Sequence, residues 1–315
     1  MNIENKIKKQ FDLAQFTTFK IGGAAKHYLE VKTKEELEEA FLWAEKEDEK
    51  VFILGGGSNI LIPDNGIDGL VLRMTNDNFK IMGERFECGA GVGLNQIITK
   101  CTGHSLSGLE WASGIPRVTV GGAICGNAGA FGRSMLDTVE TVDVFDIKKR
   151  IFRIFSKRDC KFEYRNSIFK KDLDLLIWGA ILKMQKEDLT VIKGNIEKSI
   201  NFRTKCYPRL PSAGSVFENL DQDYVRKQSP ILFEKELKDK IGRTGKIAAG
   251  LIIDMCDLKG KTMGGIKISL EHANHIVNTG KGRAEEVIML ISYIKQQVRD
   301  KFNIELKEEI QYFGS

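Results

Sequence analysis

No segment of this 315-residue chain completes G-x-G-x-x-G, and none completes G-x-x-x-x-G-K-[ST]. The first absence excludes the usual dinucleotide fold and the second a P-loop. After Gly55-x-Gly57 the third glycine is replaced by Ile60, and after Gly89-x-Gly91 by Leu94. Six cysteines (88, 101, 125, 160, 206, 256) are scattered without a C-x-x-C pair. Of four histidines, His272 and His275 stand three apart with no third ligand nearby, so no metal site is expected. Thiols scattered in this way are expected to be buried and reduced. No apolar run approaches the length of a membrane span. Residues 1–9 carry charge with no apolar core behind it, which argues against a signal peptide and for a cytoplasmic protein. The net charge of +5 lacks the concentrated basic stripe of a nucleic-acid binder, although it suits an anionic small ligand. Internal repeats and low-complexity tracts are also missing. With 42% hydrophobic and 29% charged residues, the chain is that of an ordinary folded protein with room for two or three cores.

What the chain does have is glycine in two particular places. The apolar run 51–54 empties into Gly55-Gly56-Gly57-Ser58-Asn59. Without Cβ atoms the backbone can approach a ligand closely, and successive N–H groups make a concave anion site. A second segment carries Gly121, Gly122, Asn127 and Gly129, shortly after Trp111-Ala112-Ser113-Gly114-Ile115-Pro116. Two such cradles suit a long, folded-over ligand with a diphosphate, such as a dinucleotide cofactor.

Hydrophobic spacing predicts strands at 27–31, 51–54 and 70–72. Between the first two, Thr33 and Glu36 form a capping box for a helix with Leu37, Ala40, Phe41 and Ala44 on one face. Short apolar runs at 86–88, 139–145, 151–155 and 175–184 alternate with turns, and one helix is expected at 94–101. This pattern suggests a second α+β subdomain on a mainly antiparallel sheet. A basic helix is expected over 191–205. Residues 284–302 give the clearest helix, with Val287, Leu290, Ile291, Ile294 and Val298 at helical spacing and Glu285 and Glu286 in its first turn. A final strand over 304–313 is expected to turn Ile304, Leu306, Ile310 and Tyr312 inward.

Three polar residues could carry chemistry. Arg165 could fork onto a carboxylate or steady an enolate, or could make an interdomain ion pair. Ser215 follows Gly214 outside any G-x-S-x-G and without a histidine in a recognisable partner motif. It reads as a proton donor or as a turn serine bonding its own backbone, rather than as a hydrolase nucleophile. Glu309 could act at a site or be a solvated edge carboxylate.

Together the motifs Thr17-Thr18-Phe19-x-Ile21-Gly22-Gly23, L-G-G-G-S-N, G-L-E-x-A-S-G-I-P, N-A-G-A-x-G, Y-R-x-S-x-F, G-S-V-F and the closing L-x-x-E-I occur in one order over nearly the whole chain. In this the sequence resembles the UDP-N-acetylenolpyruvoylglucosamine reductases of bacterial peptidoglycan synthesis. The resemblance implies an α+β architecture: a two-subdomain FAD-binding fold of the vanillyl-alcohol-oxidase / p-cresol methylhydroxylase type plus a C-terminal α+β substrate-binding domain. The expected segments are 1–74 and 75–205 for FAD, 206–303 for substrate, and 304–315 as a strand carrying Glu309. It implies non-covalent FAD, cradled by Gly55, Gly56, Gly57, Ser58 and Asn59 and lined by Ser113, Gly114, Ile115, Gly121, Gly122, Asn127 and Gly129. NADPH would reduce the flavin and leave. Hydride would then pass to C3 of UDP-N-acetylglucosamine-enolpyruvate, giving UDP-N-acetylmuramate. By the same resemblance Arg165 and Glu309 polarise the substrate carboxylate, Ser215 delivers the proton to C2, and Asn219 touches substrate. A monomer is the working expectation.

The sequence departs from the family in three places. Where the family has I-P-G-x-V-G-G, this chain reads Ile115-Pro116-Arg117-Val118-Thr119-Val120-Gly121-Gly122, and Arg117 could meet a cofactor phosphate. Leu220 replaces a proline, and 221–246 looks like a charged insertion. The short link from Gly179 to Arg203 leaves no room for the tyrosine-bearing loop of one branch. Two other readings are a flavin oxidase of the same superfamily acting on an alcohol or sugar, and a non-catalytic nucleotide-binding protein.

Overall fold

Thr33 starts the first long helix, α1 (Lys34–Lys46), as its sequence requires: the side-chain oxygen accepts the Glu36 N–H at 3.2 Å, and Glu36 accepts the Thr33 N–H. The computed structural model describes residues 3–242 and 244–314. Leu37, Ala40, Phe41 and Ala44 of α1 are buried against a sheet ordered β1 (Lys8–Asp12), β2 (Ala24–Val31), β4 (Ile67–Met74), β3 (Val51–Leu54). Strand β4 runs parallel to both β2 and β3, so the glycine turn after β3 lies at the C-terminal end of a parallel ladder. Ligands of open α/β sheets gather at such ends.

A second sheet is antiparallel throughout. Its order is β8 (Ile151–Ser156), β7 (Val139–Asp146), β9 (Leu175–Lys183), β6 (Arg85–Gly89), β5 (Phe79–Met82). Helix α2 (Leu94–Gly103) and the short α3 (Val120–Cys125) bury Leu94, Ile97, Ala123 and Ile124 in its core. Phe145 of β7 and Leu176 of β9 belong to the core around α1. The basic segment forms α4 (Leu189–Cys206). Cys88, Cys101 and Cys160 are buried, and burial pushes each thiol up to about 12.

The chain divides into two compact units. The first holds residues up to Phe11, Ala25–Gly57 and Ile67–Arg203; the second holds Asp12–Ala24, Ser58–Gly66 and the chain from Thr204 onward. The units therefore do not follow the linear segments 1–74, 75–205, 206–303 and 304–315. Phe19, Ile21 and Leu61 are buried in the core of the second unit together with Val287, Ile291 and Ile294. A Cβ on Gly22 would lie 2.5 Å from that of Ile62, which accounts for a glycine in the Ile21-Gly22-Gly23 motif.

The second unit is built on α5 (Gln222–Gln228), α6 (Ala249–Asp254), a small antiparallel sheet and α7 (Ala284–Phe302). The sheet orders β10 (Thr262–Met263), β11 (Ile266–Ile268) and β12 (Ile276–Asn278). The charged stretch 221–246 is part of this fold, because Val225, Phe233 and Leu237 are buried in its core. The expected strand over 304–313 is corrected to one two-residue strand, Gln311–Tyr312, parallel to Ile60–Leu61. The remainder changes partner too quickly to form a ladder. Glu308 bridges Phe217, and the Glu309 N–H donates to the Val216 carbonyl at 2.8 Å. Ile304, Leu306 and Ile310 still point inward, while Tyr312 is half-buried.

Candidate active site

Within the first unit the two glycine segments close on each other. A Cβ on Gly55 would lie 3.0 Å from Thr119 Oγ1 and 3.8 Å from the Gly122 nitrogen; one on Gly56 would fall 1.6 Å from the Arg117 carbonyl oxygen. Thr119 caps α3 by accepting the Gly122 N–H. Arg117 occupies the departure from the family pattern in a left-handed conformation (φ 55°), which glycine adopts more readily than any other residue. Its Nε donates to the Gly56 carbonyl at 3.3 Å. Desolvation against the turn lowers the Arg117 pKa, and the positive charge of Arg73 lowers it further. Two guanidinium groups thus stand near one glycine turn, with Arg73 also bonded to Glu30 at 3.0 Å.

The other expected flavin contacts divide by environment. Ser113 is buried, and its Oγ has no hydrogen-bond partner among the described residues. An orphaned hydroxyl beside a left-handed Gly114 (φ 84°) is the kind of group a bound cofactor satisfies. Ile115 is half-buried and Gly114 exposed. The backbone here is pinned by Arg203, a residue that sequence reasoning missed because it lies in an ordinary basic helix. Its buried guanidinium donates to the carbonyls of Trp111 at 2.8 Å and Ser113 at 2.9 Å. Asn127, by contrast, has a scaffold role: its amide donates to the Glu163 carbonyl at 2.8 Å and accepts the Leu136 N–H at 3.1 Å. Gly121 and Gly129 also answer to packing, since Cβ atoms there would lie 3.0 Å from Ala90 Cβ and 2.3 Å from the Arg133 carbonyl. Gly122 has, outside its own helix backbone and among the described residues, only Thr119 Oγ1 within 4 Å, at 3.5 Å. The cradle and the orphaned hydroxyl fit a diphosphate-linked flavin.

Arg165 belongs to the same unit. It sits at φ 53° in a tight turn closed by mutual backbone bonds between Glu163 and Asn166, and its Nη2 donates to the Gly129 carbonyl at 2.8 Å. That bond holds the half-buried fork beside the second glycine segment.

The second unit contains Ser58, Asn59, Ser215, Asn219 and Glu309. Gly214 (φ 81°) turns the chain so that Ser215 enters an extended stretch, half-buried. Asn274 holds this stretch. Its carbonyl accepts the Val216 N–H at 2.9 Å, and its buried amide both accepts from and donates to the Phe217 backbone, at 2.9 and 2.8 Å. Nothing in the sequence around Asn274 announces that task. On the other side Glu309 donates its N–H to Val216, while the Glu309 carbonyl accepts from Asn59 Nδ2 at 3.1 Å. Ser215, Glu309 and Asn59 therefore share one frame. Ser58 offers its carbonyl to Thr18 Oγ1 at 3.4 Å. Asn219 is exposed and accepts the Ala249 N–H at 3.2 Å.

Comparison with known proteins places the chain in a family. Residues 25–154 match the family model of an FAD binding domain, and 207–313 match that of the UDP-N-acetylenolpyruvoylglucosamine reductase C-terminal domain. The chain is similar to UDP-N-acetylenolpyruvoylglucosamine reductase of Solibacter usitatus, 34% identical over 303 residues, covering 96% of this chain and 95% of that one. It is 35% identical over 309 residues to the reductase of Caldicellulosiruptor bescii, covering 97% and 90%. Among solved structures, the reductase from Thermus caldophilus superposes with a TM-score of 0.77 at 29% identity, covering 98% of each chain.

Proposed function

Because the chain belongs to the UDP-N-acetylenolpyruvoylglucosamine reductase family, we propose that it reduces UDP-N-acetylglucosamine-enolpyruvate to UDP-N-acetylmuramate with NADPH, in the cytoplasm, for peptidoglycan synthesis. It is an FAD-dependent oxidoreductase. When bound, FAD carries reducing equivalents from NADPH to the enolpyruvyl double bond. Gly55, Gly56, Gly57, Gly122, Ser113, Gly114 and Ile115 are the residues that would hold it. The Ser215 hydroxyl supplies the proton to C2, where negative charge develops once C3 is reduced. A neutral hydroxyl suits that task, since a proton must be present when the charge appears. Arg165 and Glu309 orient the substrate carboxylate and steady the charge, and Asn219 contacts substrate. The reading is carried by one observation: Glu309, far from Ser215 in sequence, donates its backbone N–H to the carbonyl of Val216, the residue next to Ser215, at 2.8 Å. Among the described residues no helix is long and apolar enough to cross a membrane.

An anaerobic two-step titration tests the reaction. NADPH is expected to bleach the flavin, and the enol ether to restore its colour with stoichiometric UDP-N-acetylmuramate. A flavin that the enol ether leaves bleached would favour an oxidase, and a purified protein that takes up no flavin would favour a binding protein. Arg165→Lys checks the fork. An ammonium cannot hold both Gly129 and a carboxylate in one plane. The expected loss in kcat/KM is about tenfold to hundredfold, the worth of one charge-assisted hydrogen bond. Wild-type turnover in this variant would remove Arg165 from the mechanism.

A further inference from the structure

No sequence motif pairs Ser215 with a histidine, yet the fold sets one opposite it. Ser215 and His275 are directly opposed in an isolated antiparallel bridge. Opposed residues of such a pair carry their side chains on the same face, with Cβ atoms about 4.5–5.5 Å apart. The bridge is held rigidly: Val216 and Phe217 bond Asn274, and the His275 N–H and carbonyl bond His272 and Ser269. His275 is 3% exposed, and neither of its ring nitrogens has a hydrogen-bond partner among the described residues. Its ring packs at 4.9 Å from Tyr207 and 4.7 Å from His272. His272 is oriented by its own Nδ1, which accepts the Asn274 N–H at 3.2 Å and so leaves its proton on Nε2. A buried imidazole with both nitrogens unused has hydrogen-bonding capacity that the resting fold does not satisfy.

We propose that His275 is a positioning residue for Ser215, its ring N–H aimed at the serine Oγ as that oxygen gives up its proton. The proposal rests on the reductase reading above. In the step concerned the Ser215 O–H bond breaks, a C–H bond forms at C2, and the negative charge moves from the substrate to Oγ. A hydrogen bond from His275 would hold that charge until water returns a proton to Oγ and leaves hydroxide. Burial, aided by His272, lowers the His275 pKa to about 3, so the ring is a neutral donor. A neutral imidazole in this role stabilises charge without competing to give its own proton away. No hydrogen bond to its Nδ1 orients His275 among the described residues, which separates the pair from the Ser-His-Asp arrangement of a hydrolase. Hydrogen bonds of this kind often tighten only with substrate bound.

The test compares His275→Phe with His275→Gln in the flavin-loaded protein, after confirming that both keep the wild-type melting temperature and flavin content. Phe fills the space without a donor, and Gln restores an N–H. Reduction by NADPH is expected to stay within about twofold in both. The enol-ether half-reaction should slow about tenfold to hundredfold in His275→Phe, with a larger solvent deuterium effect, and recover in His275→Gln. Adding His275→Phe to Ser215→Ala should slow it no further, since the two act as one unit. Equal slowing of both half-reactions, equal behaviour of Phe and Gln, or a wild-type rate in His275→Phe would each overturn the proposal. If His275→Phe fails to fold, Gln against His275→Leu carries the same comparison. Failure of the reductase reading would look different, since the wild-type protein itself would ignore the enol ether.

Discussion

Ser215→Ala is expected to leave reduction by NADPH within about twofold of wild type while slowing the enol-ether half-reaction by about 10²–10⁴, the usual contribution of a positioned general acid. The structure makes the comparison clean. The backbone around Ser215 is fixed by Asn274 on one side and Glu309 on the other, through bonds of 2.8–2.9 Å that do not involve the hydroxyl. Ser215 is also only half-buried, so removing one oxygen opens no large cavity. The melting temperature should therefore stay put. Stopped-flow traces of each half-reaction, recorded separately and without oxygen, decide the matter. Were both to slow by the same factor, Ser215 would be acting on cofactor placement, and the proton would have another source.

How much of this was legible in the sequence depends on the distance over which each feature is determined. Thr33 and Glu36 specify the start of α1 within four residues, and the apolar spacing of Val287, Leu290, Ile291, Ile294 and Val298 specifies α7 over its whole length. Both were readable because each helix closes its hydrogen bonds within itself. The stretch 304–313 alternates as convincingly, yet only Gln311–Tyr312 is a strand. A strand needs a neighbour, and here the neighbours are Phe217, Val216 and Ile60 in turn. The same limit applies to the division of the chain. Nothing local to Phe19, Ile21 or Leu61 shows that they pack with α7 rather than with β2 and β4 beside them. Of the residues proposed for function, the glycines, Arg165, Ser215 and Glu309 were visible as motifs. Arg203, Asn274 and His275 were not, because a buried guanidinium on carbonyls, an amide standing in for a strand and a histidine across a bridge leave no spacing to detect.

Gly56→Ala is expected to cost the protein its flavin. Gly56 does not adopt a positive φ, so alanine can take its backbone conformation. The obstacle is space, since the new methyl would fall 1.6 Å from the Arg117 carbonyl oxygen. Backbone must move, and overpacking of this kind costs about 1–3 kcal/mol. The two segments that have to give are the glycine turn, which is proposed to hold FAD, and the Arg117 loop that crosses it. An FAD affinity about tenfold to hundredfold weaker follows, read by titration of the apoprotein. Gly122→Ala is the control. Its methyl makes an ordinary van der Waals contact with Thr119 Oγ1, at 3.5 Å, so the melting temperature of the apoprotein should hardly change. If the cofactor approaches that backbone, FAD affinity should still fall. Weakened affinity with unchanged apoprotein stability in Gly122→Ala would place the ligand at the second glycine segment by a route independent of catalysis. Wild-type FAD affinity in both variants would move the diphosphate away from the cradle altogether.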